Sequence, residues 1–295
     1  MKRLLTTNIL LIYVLIILGG AVRNFGAGLS CPDWPLCQGH IIPAFDFLVL
    51  LEWTHRLLAL IVSLLTIAIV ALWATRPFER RRLGLVPIWS ALLLATQAVL
   101  GGMTVLQLLN PATVSLHLAT GLMFWGSILW MWLRVKDISY APSLGLDHAN
   151  TWLGGLTLAY YGQAVLGALV SSTHAGLVCP DFPLCHGALV PPLMGLYLYQ
   201  FMHRVGAVVV LVLTTGCFFS LRRMPVDRKL RMTVGALAGM TIFQFVLGVG
   251  NVLARLPAAM SITHLAVAAS LFGMSAIAWY KVANARISAV DQTTH

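Results

Sequence analysis

Four histidines in long apolar stretches are the residues of this sequence best suited to chemistry: His55, His117, His203 and His264. An ionisable side chain in such a stretch is costly to bury and usually marks a functional site. An offset of 148 residues carries His55 onto His203. An offset of 147 residues carries His117 onto His264. Offsets of about half the chain length indicate two homologous halves, each with its own pair of histidines.

The two histidines of each half lie at a similar depth in their predicted helices. Each histidine is about four to eight residues from the end of its helix, on the same side of the membrane for all four. At 1.5 Å per residue this is a depth of roughly 6–12 Å. Two helices of a bundle can therefore direct both side chains at one metal ion, and haem iron is the natural occupant. No cluster of cysteines or carboxylates suited to zinc or a di-iron site accompanies them in the sequence. Each pair is predicted to be a bis-histidine haem site.

One carboxylate distinguishes the two halves. Glu52 is the only Glu or Asp within a predicted span, and it shares a helix face with His55 three residues later. The matching residue before His203 is Gln200. Because the second half keeps its histidine beside a neutral amide, haem binding does not require the carboxylate. Glu52 is therefore predicted to move protons or hold a reacting intermediate. The alternative is a structural acceptor that orients a histidine or closes a salt bridge.

Three arginines are candidates for binding haem propionates, which need cations or water. Arg56 and Arg204 directly follow a histidine of each half, and Arg23 lies at the outer end of the first span. Arginine pairs well with carboxylates. The alternative is a side chain that reaches to the membrane interface, which applies most to Arg23. Trp53 and Thr54, between Glu52 and His55, are interpreted as variable spacers.

A second repeated motif contains paired cysteines. CPDWPLC at residues 31–37 recurs as CPDFPLC at residues 179–185. The motifs lie in the two longest outward segments, 26–46 and 174–194, which are predicted to fold onto the membrane surface as lids. Two close cysteines in an oxidising space favour a disulfide over a metal site.

The composition predicts that helices in a membrane position these residues. The hydrophobic fraction is 59% and the charged fraction 9%, against about 45–50% and 25% in soluble proteins. Eight apolar runs are long enough to cross ~30 Å of hydrocarbon. They are residues 8–25, 47–74, 86–107, 113–133, 151–173, 195–220, 232–253 and 259–280. We predict an all-α multi-pass membrane protein.

The basic residues predict the orientation of the chain. One set of loops and termini holds 15 of the 19 Lys and Arg residues. By the positive-inside rule, both termini are cytoplasmic and the cysteine loops face outward. The net charge of +10 is then a topology signal. Binding to nucleic acid is not expected, because the charge is divided among short loops beside the spans.

The repeat predicts how the eight spans are grouped. Each half has four spans, and an even number gives both halves the same orientation. The sequence therefore predicts two four-helix bundles related by a pseudo-two-fold axis along the membrane normal. The N-terminal half is assigned to residues 1–148 and the C-terminal half to residues 149–295, with a joint around 134–150.

These features together resemble the haem A synthase family over nearly the whole chain. EWTHR at residues 52–56 resembles the family signature Glu-x-x-His-Arg. The paired cysteine loops, the eight spans and the histidines in spans two, four, six and eight are similar too. The resemblance implies a membrane enzyme that oxidises the C8 methyl of haem O to a formyl group. Two successive hydroxylations and loss of water give haem A for terminal oxidases.

The resemblance also implies different roles for the two halves. In that family the N-terminal half takes the substrate haem and the C-terminal half holds a permanent haem b. His55 and His117 are then ligands of haem O, with Glu52 catalytic. His203 and His264 are ligands of the haem b iron. Which of the two substrate ligands would leave to admit oxygen, if either does, is left open.

The resemblance further implies disulfides Cys31–Cys37 and Cys179–Cys185, in the cell membrane of a bacterium. Haem O would come from a haem O synthase. The sequence has no Rossmann glycine pattern and no cysteine set for an iron–sulfur cluster, so electrons must come from another protein or a quinol. That donor is not identified.

Two other functions remain as alternatives. A di-haem electron-transfer protein explains the four histidines but not the difference between Glu52 and Gln200. A thiol–disulfide oxidant that uses Cys31 and Cys37 explains the loops but not the histidines.

Overall fold

The computed structural model describes residues 1–44, 46–136, 146–224 and 226–293, with side chains up to residue 285. Within these ranges the chain is helical and has no β-strand longer than an isolated bridge. The α-helices are α1 (Lys2–Asn24), α2 (Phe47–Thr75), α3 (Pro77–Leu83), α4 (Val86–Leu106), α5 (Pro111–Lys136), α6 (Leu146–Ser172), α7 (Gly195–Arg222), α8 (Arg228–Leu253) and α9 (Ala258–Thr293). Most of the joint predicted between the halves, including Pro142 and Gly145, lies outside the described residues.

Eight of these helices are long and apolar enough to cross a membrane, which confirms the predicted all-α membrane protein. The predicted spans match them with differences of several residues at the ends. For example, α1 begins at Lys2 and α5 continues to Lys136. The short helix α3 was not predicted. Pro77 stands in its first turn and Gly84, with φ +58°, follows its end, so it is a brief polar turn of helix beside the spans.

The spans pack as two rings of four. In the first half, α1 contacts α2 and α5, and α4 contacts both α2 and α5. In the second half, α6 contacts α7 and α9, and α8 contacts both α7 and α9. The halves meet where α5 packs on α6, α9 on α1, and α5 on α9. The repeat relates α1 to α6 and α5 to α9. It therefore relates the α5–α6 contact to the α9–α1 contact, and it relates the α5–α9 contact to itself.

Side chains at the interface are reciprocal as well. The hydroxyl of Tyr13 donates to the carbonyl of Ala266 at 3.2 Å. Tyr161, the repeat partner of Tyr13, donates to the carbonyl of Ala119 at 3.3 Å. Ala119 and Ala266 are themselves related by the 147-residue offset. Reciprocal contacts are what a two-fold relation produces, and they support the predicted pseudo-symmetry. The direction of its axis relative to the membrane stays a prediction.

Two aromatic rings meet where the halves join. Trp125 of α5 and its repeat partner Phe272 of α9 have ring centroids 6.3 Å apart. A Cβ at Gly126 would lie 3.4 Å from Phe272, and a Cβ at Gly273 would lie 2.6 Å from Trp125. Glycine normally weakens a helix by about 1 kcal/mol relative to alanine. Here its lack of a side chain makes room for the ring of the other half.

Candidate functional site

The structure brings the four predicted histidines together in two pairs. His203 of α7 and His264 of α9 have ring centroids 6.5 Å apart. Iron bound at ~2 Å to one nitrogen of each ring would leave the centroids about 6 Å apart. In the first half, His55 of α2 and His117 of α5 occupy the two positions that the repeat relates to this pair. The spacing of the second pair fits a single iron between two imidazoles.

The donor set also fits haem. The Nδ1 atoms of His55, His117 and His264 are buried and have no hydrogen-bond partner. A neutral imidazole has one nitrogen free to bind a metal, and rings that make no hydrogen bond through Nδ1 are available for that use. Among the described residues, no group of three or more His, Cys, Asp or Glu side chains could hold a metal ion. Two imidazoles suffice for haem, because the porphyrin supplies the other four nitrogens.

Each imidazole lies against a glycine of a neighbouring helix, a feature that the sequence analysis missed. The pairs are Gly19 with His55, Gly101 with His117, Gly167 with His203, and Gly248 with His264. A Cβ at these positions would lie 2.9–3.4 Å from the Cε1 atom of the histidine. A larger residue would push the ring out of place. The signal was available, because the glycines repeat with the offsets of the histidines that they face.

Two glutamines tie the helices that carry the later histidine of each half. Gln97 Nε2 donates to the backbone carbonyl of His117 at 3.0 Å. Gln244 Nε2 donates to the backbone carbonyl of His264 at 2.9 Å. These bonds join α4 to α5 and α8 to α9 at the level of the imidazoles. They are the same in both halves.

Glu52 is buried and held at both oxygens. Its Oε1 accepts from Nη2 of Arg56 at 2.5 Å in an ion pair, and its Oε2 accepts from the backbone N–H of Cys31 at 2.8 Å. Gln200 is also buried, but its Nε2 donates to the carbonyl of Gly176 at 3.2 Å and its Oε1 has no partner. The contacts of Glu52 are those of the structural alternative. They also orient its carboxylate, so they do not decide between that role and catalysis.

Arg56 holds the first cysteine loop. Its guanidinium donates to the carbonyls of Cys31, Asp33 and Leu36 at 2.5–2.7 Å. With the bond to Glu52, these contacts account for its four terminal N–H groups. A propionate would have to use Nε–H or replace a carbonyl, so that role stays a prediction.

Arg204 repeats this arrangement on the second loop. It donates to the carbonyls of Cys179, Asp181 and Leu184 at 2.6–2.9 Å. Three of its donors are therefore occupied by loop carbonyls. Sequence reasoning missed this use of both arginines, because nothing in the sequence shows which carbonyls a folded loop presents.

Arg23 bridges the two halves. Its Nη2 donates to the carbonyl of Ser171 at 2.6 Å and lies 3.2 Å from Nε2 of His174. Both partners belong to the C-terminal half. The contact joins the C-terminal end of α1 to the C-terminal end of α6. Propionate binding by Arg23 stays a prediction as well.

The cysteine loops are closed as the sequence predicted. The structure forms the disulfides Cys31–Cys37 and Cys179–Cys185. Within the first loop, the carboxylate of Asp33 accepts from the backbone N–H groups of Gly39 and Gln38 at 2.8 and 2.6 Å. The bond from Gly39 contributes most to holding the pKa of this carboxyl below its ordinary value.

The second loop has the same internal support. Asp181 accepts from the backbone N–H groups of Gly187 and His186 at 3.0 and 2.9 Å. These bonds lower the pKa of Asp181, and the bond from Gly187 contributes most.

Trp53 is not the spacer that the sequence suggested. Its indole N–H donates to the carbonyl of Ile41 at 2.8 Å, and its ring packs against Cys31, Cys37 and Val49. Trp53 thus supports the first cysteine loop from its place on α2. Period and spacing do not reveal this contact, because it joins a helix to an irregular segment.

An apolar groove lies between α1 and α2, beside the turn that carries His55. It has a volume of about 460 Å³, and it is lined by Val14, Ile17, Leu18, Ala21, Thr54, Leu57, Leu58 and Ile61. The lining is almost entirely hydrocarbon. The first histidine pair therefore has an apolar surface next to it.

Comparison with known proteins identifies the family. The model of the cytochrome oxidase assembly protein family COX15-CtaA matches residues 2–47 and 42–276. A heme A synthase of Shewanella oneidensis is 28% identical over 91% of this chain and 92% of its own length. A heme A synthase of Bacillus pumilus is 26% identical over 92% of both chains. One from Symbiobacterium thermophilum is 29% identical over 75% of both. Because the family match extends over most of its length, the chain belongs to the COX15-CtaA family of cytochrome oxidase assembly proteins.

Proposed function

We propose that this protein is a haem A synthase, which oxidises the C8 methyl of haem O to the formyl group of haem A. The observation that carries the proposal is a buried carboxylate, Glu52, in only one of two repeat-related histidine-pair sites. The names of the relatives support it. The methyl group is hydroxylated twice, and the resulting gem-diol loses water to leave the aldehyde.

The two halves take different haems. Haem b is held by His203 and His264 in the C-terminal half, residues 149–295, where it supplies one-electron redox chemistry. The substrate haem O is held by His55 and His117 in the N-terminal half, residues 1–148. The glycines give each of the four imidazoles room to lie against a neighbouring helix.

Glu52 acts in the substrate half as the group that moves a proton or holds a reacting intermediate. Arg56 and the backbone N–H of Cys31 orient its carboxylate at 2.5 and 2.8 Å. Taking up a proton would weaken the ion pair to Arg56, which also holds the carbonyls of the cysteine loop. Protonation of Glu52 would therefore also change how Arg56 holds the first cysteine loop. Gln200 cannot perform this step, because an amide does not accept a proton at ordinary pH.

The setting follows from the spans and the charge pattern. The protein lies in the bacterial cell membrane with both termini in the cytoplasm and both cysteine loops outside. Haem O, a membrane-soluble substrate, is delivered by a haem O synthase. Electrons pass through a donor that carries its own redox group, because the chain offers no motif for a nicotinamide or an iron–sulfur cluster.

The test is the pigment. The protein should be purified from cells that also make haem O, and its haems extracted and separated by chromatography. Haem b together with haem O or haem A is the expected result, with haem A accumulating in cells only when the protein is present. Two haem b per chain and no haem A would instead establish a di-haem electron-transfer protein. Full activity without bound haem, with turnover of the cysteines, would establish a thiol oxidant.

A further inference from the structure

The imidazole of one haem-b-side histidine is held by a side chain that its counterpart lacks. Gln163 of α6 lies with its amide Nε2 3.0 Å from Nδ1 of His203, and it donates to the backbone carbonyl of His203 at 2.9 Å. One amide therefore contacts both the ring and the main chain of the same residue. The amide nitrogen can only donate, so this contact is a hydrogen bond when Nδ1 is unprotonated. With iron on Nε2 the proton is on Nδ1, and the amide would turn its oxygen Oε1, which has no other partner, to accept it. In both states the amide restrains the rotation of the ring.

The first half has an apolar residue in this place. The 148-residue offset that relates His203 to His55 also relates Gln163 to Leu15. The register is secure, because Gly167 and Gly19, one turn further along the same helices, pack on His203 and His55 at the same distance of 3.1 Å. Leucine offers no hydrogen bond. Accordingly, Nδ1 of His55 is buried without a partner among the described residues.

A second difference makes room for the glutamine. Gly206, three residues after His203, lies against the amide of Gln163, and a Cβ there would collide with its Oε1 atom. The repeat partner of Gly206 is Leu58, which lines the apolar groove beside α1. At these two positions the second half therefore has glutamine and glycine, and the first half has leucine at both. The two halves thus differ in how the ring is held, although the histidines and their glycines are the same.

We infer that Gln163 is a positioning residue that locks His203 on its iron, and that the Leu15–Leu58 pair leaves His55 as the exchangeable ligand of the substrate site. This rests on the proposed function for the identity of the haems. The inference also says which histidine of the first half leaves the iron. His117 is tied at its carbonyl by Gln97, whereas no side chain bonds the ring or the carbonyl of His55 in the described structure.

Carbon monoxide tests the inference, because it binds reduced haem iron only where an axial ligand leaves. In the purified, haem-loaded wild-type protein, we expect carbon monoxide to react with the N-terminal haem and not with the C-terminal haem b. Gln163→Leu should make haem b reactive to carbon monoxide, shift its low-spin electron paramagnetic resonance signal and lower its affinity ~10-fold or more. Gly162→Ala is the control, since Gly162 precedes Gln163 on α6 and an added Cβ there meets nothing within 4 Å, and haem b should stay unreactive in it.

A gain-of-lock variant keeps the test decisive even if Gln163→Leu does not assemble. Leu15→Gln combined with Leu58→Gly places the glutamine–glycine pair beside His55. We expect carbon monoxide binding at the N-terminal haem to fall in this protein, with haem b unchanged. Carbon monoxide binding to haem b in the wild type would overturn the inference, and so would carbon monoxide spectra of Gln163→Leu that match those of Gly162→Ala. So would undiminished binding in the double variant.

The outcome is separable from that of the proposed function. Carbon monoxide binding and the resonance signal report on the ligands of whichever haem is bound, and they do not require haem A to form. If the wild type makes no haem A but the Gln163 effect is present, the proposed function fails and the lock stands. If haem A forms normally and the Gln163 effect is absent, the reverse holds.

Discussion

The two halves of this protein share one scaffold and differ at the residues to which we assign reactivity. Both have facing histidines, a glycine behind each imidazole, an arginine that holds a disulfide loop, and a glutamine on the carbonyl of the later histidine. They differ beside the earlier histidine. The first half has Glu52 and Leu15 where the second half has Gln200 and Gln163. A buried charge and an imidazole without a hydrogen bond suit the reacting site that we propose, and neutral amides suit a site that would only hold a haem.

The largest expected difference between the halves follows from removing a histidine that is proposed to bind iron. His203→Ala or His264→Ala should abolish firm binding of haem b, because losing even an outer partner of a metal ligand costs about 10–100-fold in affinity. His55→Ala should leave haem b in place. Pigment content per purified chain measures the difference. Haem b that survives both C-terminal changes but falls with His55→Ala would show that the halves are assigned in reverse.

Making the first half resemble the second should stop the chemistry. We expect Glu52→Gln to insert and to keep haem b, because Gln200 shows that the fold accepts this amide. Formation of haem A should fall by ~10²-fold or more, the usual contribution of a group that transfers protons. Chromatography of extracted haems would show whether haem O or a hydroxylated haem accumulates. Gln200→Glu is the matched control and should retain activity. Normal haem A from Glu52→Gln would leave Glu52 with only its structural contacts to Arg56 and Cys31.

The glycine behind a histidine offers a smaller change at a site of known geometry. A Cβ at Gly248 would lie 2.9 Å from Cε1 of His264, so Gly248→Ala should displace the ring and lower both haem b content and thermal stability. Overpacking of this kind costs ~1–3 kcal/mol. Gly239→Ala, on the same helix but with nothing within 4 Å, is the control and should be neutral or stabilising. Equal melting temperatures and haem contents for the two variants would contradict the glycine contact.

The smallest expected effect concerns the outer loops, where the halves agree. Asp33 has a pKa below its ordinary value of 3.8, so its support of the first loop is complete above that pH and is lost as the pH falls through the lowered pKa. Reduction of the Cys31–Cys37 disulfide by a phosphine should therefore accelerate only below that value. In Asp33→Asn the reduction should be faster at neutral pH and should lack the acid-dependent increase. If the rate of disulfide reduction does not change with pH or with Asp33→Asn, then Asp33 does not protect the first loop.

Much of the fold was readable from the sequence because its signals are local or repeat. Apolar runs predicted the eight spans, and offsets of 148 and 147 residues predicted two halves with paired histidines and paired cysteines. The short helix α3 escaped because it is polar and too brief to leave a period. The spacer assignment of Trp53 was wrong, because its partner Ile41 lies in an irregular loop.

The sequence by itself determined which residues are chemically unusual in an apolar chain: four histidines, one carboxylate and two cysteine pairs. Only the tertiary structure decided what touches them. The glycines behind the imidazoles, the loop carbonyls on Arg56 and Arg204, and the contact of Gln163 with His203 all join different helices or loops. Such contacts depend on how each helix is rotated and how deeply it is set against its neighbours. Packing of whole helices determines those two quantities, and no short stretch of sequence encodes them.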